Sequence, residues 1–154
     1  MNTSERRNRG FTLIELLMVI SIIGMLSAVM LASLSTARQK ANDAAIQSDM
    51  ETIQTQAEIF FYGAGNNSYA GPTSNSACSG ASPTMWDKDT TMKNALHALW
   101  SLANGGQSGV MCYSNTTTYA MSVQLNAPSV TTFWCIDSTG KAGTTTAAVS
   151  APNC

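Results

Sequence analysis

Few residues of this 154-residue chain have the type and spacing to do chemistry, and the first of them open it. "RGFTLIELLM", residues 9–18, begins an apolar run with Gly10 and Phe11, then places one carboxylate, Glu15, inside it. An ionised carboxylate in hydrocarbon is costly unless it reaches the headgroups or meets a cation. Near the end of the run, snorkelling is one solution. A cation at the same depth is the other, and cutting between Gly10 and Phe11 would create one, the α-amine of Phe11. That amine and Glu15 would lie one helical turn apart on one face. Within a subunit this makes a local pair; between subunits it fixes an axial offset.

The other candidates are plainer. Cys78, Cys112, Cys135 and Cys154 all lie in the second half, none in a C-x-x-C or Cys/His metal spacing. An even number in a Gly/Ser/Thr-rich region fits two disulfides formed outside the cytoplasm, with three connectivities open; buried free thiols are the alternative. His97 is the one histidine, and no Cys, Asp or Glu is spaced to join it, so a solvated helix residue is expected. Serine and threonine are plentiful, but no base is placed beside them and no loop could cradle a phosphate. The expectation is therefore no enzyme, no catalytic residue, no cofactor and no metal. Asn66-Asn67-Ser68 and Asn115-Thr116-Thr117 read as glycosylation sequons, a pattern that chance supplies readily in so Asn/Thr-rich a chain.

The elements that must position these residues begin with a span. From Leu16 to Ala37 the chain carries no charge, although charged residues make up 11% overall. A helix over that stretch is about 33 Å long, enough to cross a bilayer core. It is also too long for the apolar core of a cleaved secretory signal. Arg6, Arg7 and Arg9 before the span argue for a cytoplasmic N-terminus, whereas Arg38 and Lys40 follow it. The cysteines downstream decide the orientation: the later residues are outside. The chain has a net charge of −1, and without residues 1–10 acidic groups outnumber basic ones. No footprint for nucleic acid survives.

The first proline is Pro72, and Gly24 is the lone glycine between Phe11 and Gly63. One helix from Phe11 to Tyr62 is expected, about 78 Å at the helical rise. Its second half is amphipathic: Ile46, Met50, Ile53, Ala57 and Phe60 form one stripe, with Asp43, Asp49, Glu51 and Glu58 largely off it. Residues 63–84 read as a Gly/Ser/Asn/Pro loop. Asp87 or Asp89 caps a short helix with Met92, Leu96 and Leu99 buried, stopped by Asn104-Gly105-Gly106. "GVMCYS", "TTYAMSVQL" and "TTFWCID" then read as a three-stranded antiparallel meander, with a weaker fourth edge strand over 142–149. Tyr119, Met121, Val123 and Leu125 share one face. Helix and sheet together make an α+β core.

The stretch "RGFTLIELLMVISIIGMLSAV" resembles the N-terminal signal of type IV pilins and type II secretion pseudopilins. In that family a basic leader ends in Gly and is followed by a methylated Phe, then Thr-Leu-Ile-Glu and an apolar helix. The resemblance covers about residues 6–35. It implies that a prepilin peptidase cuts between Gly10 and Phe11 and methylates the Phe11 amine, and that Glu15 pairs with a neighbour's N-terminus during assembly. Many pilins carry a helix-breaking proline later in the span, and this chain has none.

The implied layout is a leader over 1–10, a hydrophobic membrane and assembly helix over 11–37, and its amphipathic continuation over 38–62. The αβ loop, short helix, antiparallel sheet and C-terminal disulfide loop of a pilin fold then fill 63–154. The same likeness implies a Cys135–Cys154 bridge closing a C-terminal loop, with Cys78–Cys112 pinning the αβ loop to the first strand. Cys112 to Cys135 would span a middle strand, too far to bridge.

The implied function is a structural subunit, closest to a type IV pilin, that polymerises into an extracellular pilus. Its implied partners are copies of itself, the prepilin peptidase, the membrane assembly machinery and, before assembly, the lipid bilayer. It would start as a prepilin in the cytoplasmic membrane and end on the cell surface. The alternatives are a pseudopilin and a membrane-tethered extracytoplasmic binding domain. Against the pseudopilin, Asp137 is the one acidic residue near the C-terminal loop, too few carboxylates for a good calcium site.

Overall fold

The computed structural model describes residues 10–69, 78, 84–127 and 130–154, with the side chain of Ala32 excepted. Most of the leader and most of the loop expected over 63–84 lie outside the described residues. The chain divides into two units, Met1–Ala37 and Arg38–Cys154, with the division inside the first helix.

Helix α1 runs Leu13–Tyr62. In the first unit the side chains from Phe11 to Leu31 are all exposed, with Leu, Ile, Val or Met at about two thirds of the positions. The helix is long and apolar enough to cross a membrane.

In the second unit the helix changes character as the stripe predicts. Ile46, Met50, Ile53, Ala57 and Phe60 are buried, at spacings of four and three that hold one face toward a core. That core is completed by α3 (Thr90–Leu102), through Met92, Leu96 and Leu99, and by Tyr119, Met121 and Val123 of the sheet. Asp89 caps α3, its carboxylate accepting the Met92 amide at 2.8 Å. Beyond Ala103 the chain turns through Gly105 at φ 85°, a conformation open to glycine without a Cβ clash. A further helical turn, α2 (Met85–Lys88), precedes α3 and has no counterpart in the sequence reading. At four residues it is too short to leave a periodic signature.

The sheet has four antiparallel strands in the order β1-β2-β3-β4: Val110–Ser114, Tyr119–Gln124, Phe133–Asp137 and Ala142–Thr145. The three-strand meander is present, and the weak fourth strand is a real edge strand, paired from Phe133↔Thr145 to Ile136↔Ala142. Asn115 makes the β1–β2 turn, its side-chain oxygen accepting the Thr117 and Thr118 amides at 2.9 and 2.7 Å. Gly140, at φ 86°, closes the β3–β4 turn.

Two features differ from the sequence reading. Strand β2 is buried on both faces rather than alternately, because Ala120 packs with Cys135 and Val149 in a second, smaller cluster. Ser122 lies on that side, its hydroxyl accepting the Val149 amide at 3.0 Å. The C-terminal residues thus cover the face of the sheet opposite α1. Asp43, expected largely off the apolar stripe, is buried three residues before Ile46. Its carboxylate accepts the Asn126 amide at 2.7 Å, the Asn126 side chain at 3.1 Å and the Ala127 amide at 2.8 Å. A buried carboxylate is tolerable there because backbone donors replace its water.

Candidate processing and assembly site

Gly10, Phe11 and Glu15 belong to the first unit. Helix α1 starts at Leu13, not at Phe11, and the cause is local. The Thr12 amide donates to a Glu15 carboxylate oxygen at 2.8 Å, and the Thr12 hydroxyl donates to the same oxygen at 2.7 Å. The Glu15 amide donates back to the Thr12 hydroxyl at 3.3 Å. This is a reciprocal capping box, with Thr12 as N-cap and Glu15 three residues on. Its signal, T-x-x-E before an apolar run, stands in the sequence as "TLIE". The sequence reading sets Glu15 against lipid headgroups and an N-terminal amine, and the local partner Thr12 is absent from it.

The capping box has a chemical consequence. It leaves the Gly10–Phe11 peptide outside the helix, where no intrahelical hydrogen bond hides its carbonyl or amide. Gly10 is exposed, Phe11 is 78% exposed, and a Cβ built on Gly10 would meet nothing within 4 Å. Among the described residues nothing crowds residue 10. Downstream, the span offers no charge until Arg38, so Glu15 is the sole ionic group of the exposed apolar helix.

Residues 6–31 match the prokaryotic N-terminal methylation motif. This chain carries that motif. Over 72 residues the chain is 44% identical to the type IV wide pilus major component PilA4 of Thermus thermophilus, covering 47% of this chain and 51% of that protein. The type II secretion system core protein G of Dickeya chrysanthemi is 36% identical over 56 residues, 36% of this chain and 37% of its own length. The type IV major pilin protein PilA of Myxococcus xanthus is 34% identical over 55 residues, 36% of this chain and 25% of its own. The match thus spans about half the length of the first relative and less of the others. No solved structure matches the chain.

The motif lies in the first unit, and the cysteines lie in the second. Cys78 is bonded to Cys112 on β1, with Cα atoms 5.0 Å apart, and Cys135 on β3 to Cys154, at 5.9 Å. Register separates Cys112 from Cys135, since Cys112 faces Met121 and Cys135 faces Ser122 across β2. Asp137 adds a second hold on the C-terminal segment. Its carboxylate accepts the Cys154 amide at 2.9 Å, the Thr139 amide at 2.9 Å and the Thr139 hydroxyl at 2.6 Å. Burial raises the pKa of Asp137, but the hydrogen bonds from Cys154, Thr139 and Lys141 outweigh it, and the net shift is downward. His97 is exposed on α3 and packs edge-on against Trp100.

Proposed function

We propose that this chain is a structural subunit that polymerises through its N-terminal helix into an extracellular type IV pilus. The observation that carries the reading is the placing of Gly10–Phe11 just outside a helix whose exposed apolar surface holds one carboxylate, Glu15. In this reading a prepilin peptidase cuts between Gly10 and Phe11 and methylates the new amine. While the leader is attached, Thr12 satisfies Glu15. After the cut, the Phe11 amine of a neighbouring subunit offers a full positive charge at the same depth, a stronger partner than a neutral hydroxyl. Extraction from the bilayer then exchanges lipid for neighbouring helices around the apolar surface.

The similarity to the type II secretion core protein G carries a second reading, a pseudopilin confined to the cell envelope. Counting fibres in cells that express this chain as the sole major subunit tests both readings. Sheared surface fibres should contain a chain that begins at methylated Phe11, read by mass spectrometry. Glu15→Gln keeps size and hydrogen bonding but removes the charge. Its product should insert, be cut and form both disulfides, yet assemble no fibres. Wild-type fibre numbers from Glu15→Gln would refute the pairing, and a mature chain with no surface fibres would favour the pseudopilin.

A further inference from the structure

The link from α3 to β1 holds the one Asn-Gly step of the chain, Asn104-Gly105. It belongs to the second unit and plays no part in processing or in the pairing of Glu15. Both residues are exposed. Among the described residues, neither the Asn104 side chain nor the Gly105 amide N–H has a hydrogen-bond partner. Their surroundings are engaged. The Asn104 amide donates to the Gln124 carbonyl at 3.1 Å, the Gly106 amide to the Ala103 carbonyl at 3.0 Å, and the Ser108 hydroxyl to the Gly105 carbonyl at 2.7 Å. The main chain is thus held on both sides of the Gly105 nitrogen, while that nitrogen and the Asn104 carboxamide are left to solvent. Gly105 sits at φ 85° and has no Cβ to shield its nitrogen from the side chain before it.

A free amide nitrogen beside a free carboxamide is a nucleophile next to an electrophile. We infer that Asn104 is a site of spontaneous deamidation in the folded chain. The Gly105 nitrogen attacks Cγ of Asn104, a bond from nitrogen to Cγ forms, and the bond from Cγ to the side-chain nitrogen breaks. The proton of the Gly105 amide passes through solvent to the departing group, which leaves as ammonia. The resulting five-membered succinimide is opened by water. Cleavage at Cγ gives aspartate at position 104, and cleavage at the main-chain carbonyl gives isoaspartate. One water is consumed and one ammonia released, with no change of oxidation state. Most other described asparagines lack a free amide or a free side chain. The amide after Asn66 donates to the Phe61 carbonyl, that after Asn126 to Asp43 and that after Asn153 to Asp137. Asn42 and Asn94 lie inside helices, where the next amide belongs to the helical ladder. Asn115 is followed by β-branched Thr116, and its side-chain oxygen is held by the Thr117 and Thr118 amides.

The products disturb the link. Isoaspartate adds a methylene to the main chain where there is little room, since a Cβ built on Gly109 would collide with the Asn104 carbonyl. The extra length displaces the bonds from position 104 to Gln124 and from Gly106 to Ala103. Either product also puts a carboxylate just beyond the C-terminus of α3, where the helix dipole disfavours negative charge. In the fibre proposed above, subunits are then marked by age, because the change runs one way and needs only water. The chemistry itself does not depend on that reading.

The test uses the full chain in detergent with both disulfides intact, held for weeks in mildly alkaline buffer made with heavy-oxygen water. Digestion and mass spectrometry then follow each asparagine. Position 104 should gain one heavy oxygen as it loses ammonia, and an isoaspartyl methyltransferase should label part of the product. Asn115 and Asn126 should stay intact while position 104 passes half conversion. Gly105→Ala should slow the reaction severalfold. Because alanine is strained at φ 85°, the exposed Asn104→Gln serves as a second variant. Its longer side chain must close a larger ring, so both the oxygen gain and the methyl label should be lost at that position. In the converted chain, the amides of position 104 and Gly106 should lose their protection from hydrogen exchange. The inference is overturned if position 104 stays unchanged or converts no faster than Asn115, or if Asn104→Gln leaves the methyl label in place. Full protection of both amides in the converted chain overturns the loosened link.

Discussion

Asp43 offers the sharpest test of how the second unit is held together. Asp43→Ala removes a carboxylate that accepts three hydrogen bonds, two from consecutive backbone amides at 2.7 and 2.8 Å and one from the Asn126 side chain. A hydrogen bond to a charged group contributes about 1.5–3 kcal/mol. Asn126 and Ala127 are half-buried, so water recovers part of what the amides lose. The expected destabilisation is about 2–4 kcal/mol, a large fraction of the 5–15 kcal/mol typical of a domain. Asn126 also donates to the Leu102 carbonyl at 2.8 Å, joining α1 to the end of α3. Asp43→Ala and Asn126→Ala should therefore be strongly non-additive. Urea unfolding of the full chain in detergent, followed by tryptophan fluorescence with both disulfides intact, measures this directly. Asp49→Ala is the control, on the same helix but half-exposed, and should stay within about 0.5 kcal/mol of wild type. An Asp43→Ala chain as stable as the Asp49 control would refute the reasoning.

Three further expectations follow from other parts of the molecule. Gly10→Ala should leave helix content unchanged and be cut, while Gly10→Leu should fold equally well but accumulate uncut, seen as the precursor band on a gel. Cys135→Ser with Cys154→Ser should cost about 3 kcal/mol, the scale for a loop of this size, and make residues after Thr145 sensitive to protease. Asp137 has a native pKa below its unfolded value, so its stabilisation is present above the ordinary carboxylate range near 3.9 and is lost as pH falls through the native value. Protease release of the C-terminal segment should therefore rise below about pH 4 in wild type. Asp137→Asn should release it at neutral pH as well.

The sequence alone determined whatever local pattern controls. The apolar span, the Ile46-to-Phe60 stripe, a cap at Asp87 or Asp89 and the apolar face of β2 from Tyr119 to Leu125 each depend on spacings of two to four residues, which a reader of the chain can see. The capping box of Thr12 and Glu15 is equally local, a T-x-x-E spacing legible in "TLIE". Tertiary structure decided what depends on distant partners. Asp43 looked like a solvated helix residue until the fold brought Asn126, 83 positions away, against its carboxylate. Ala120 and Ser122 looked like the outer face of a half-buried strand until the segment around Val149 covered them. The four cysteines admit three pairings on paper, and only the fold sets Cys78 within 5.0 Å of Cys112.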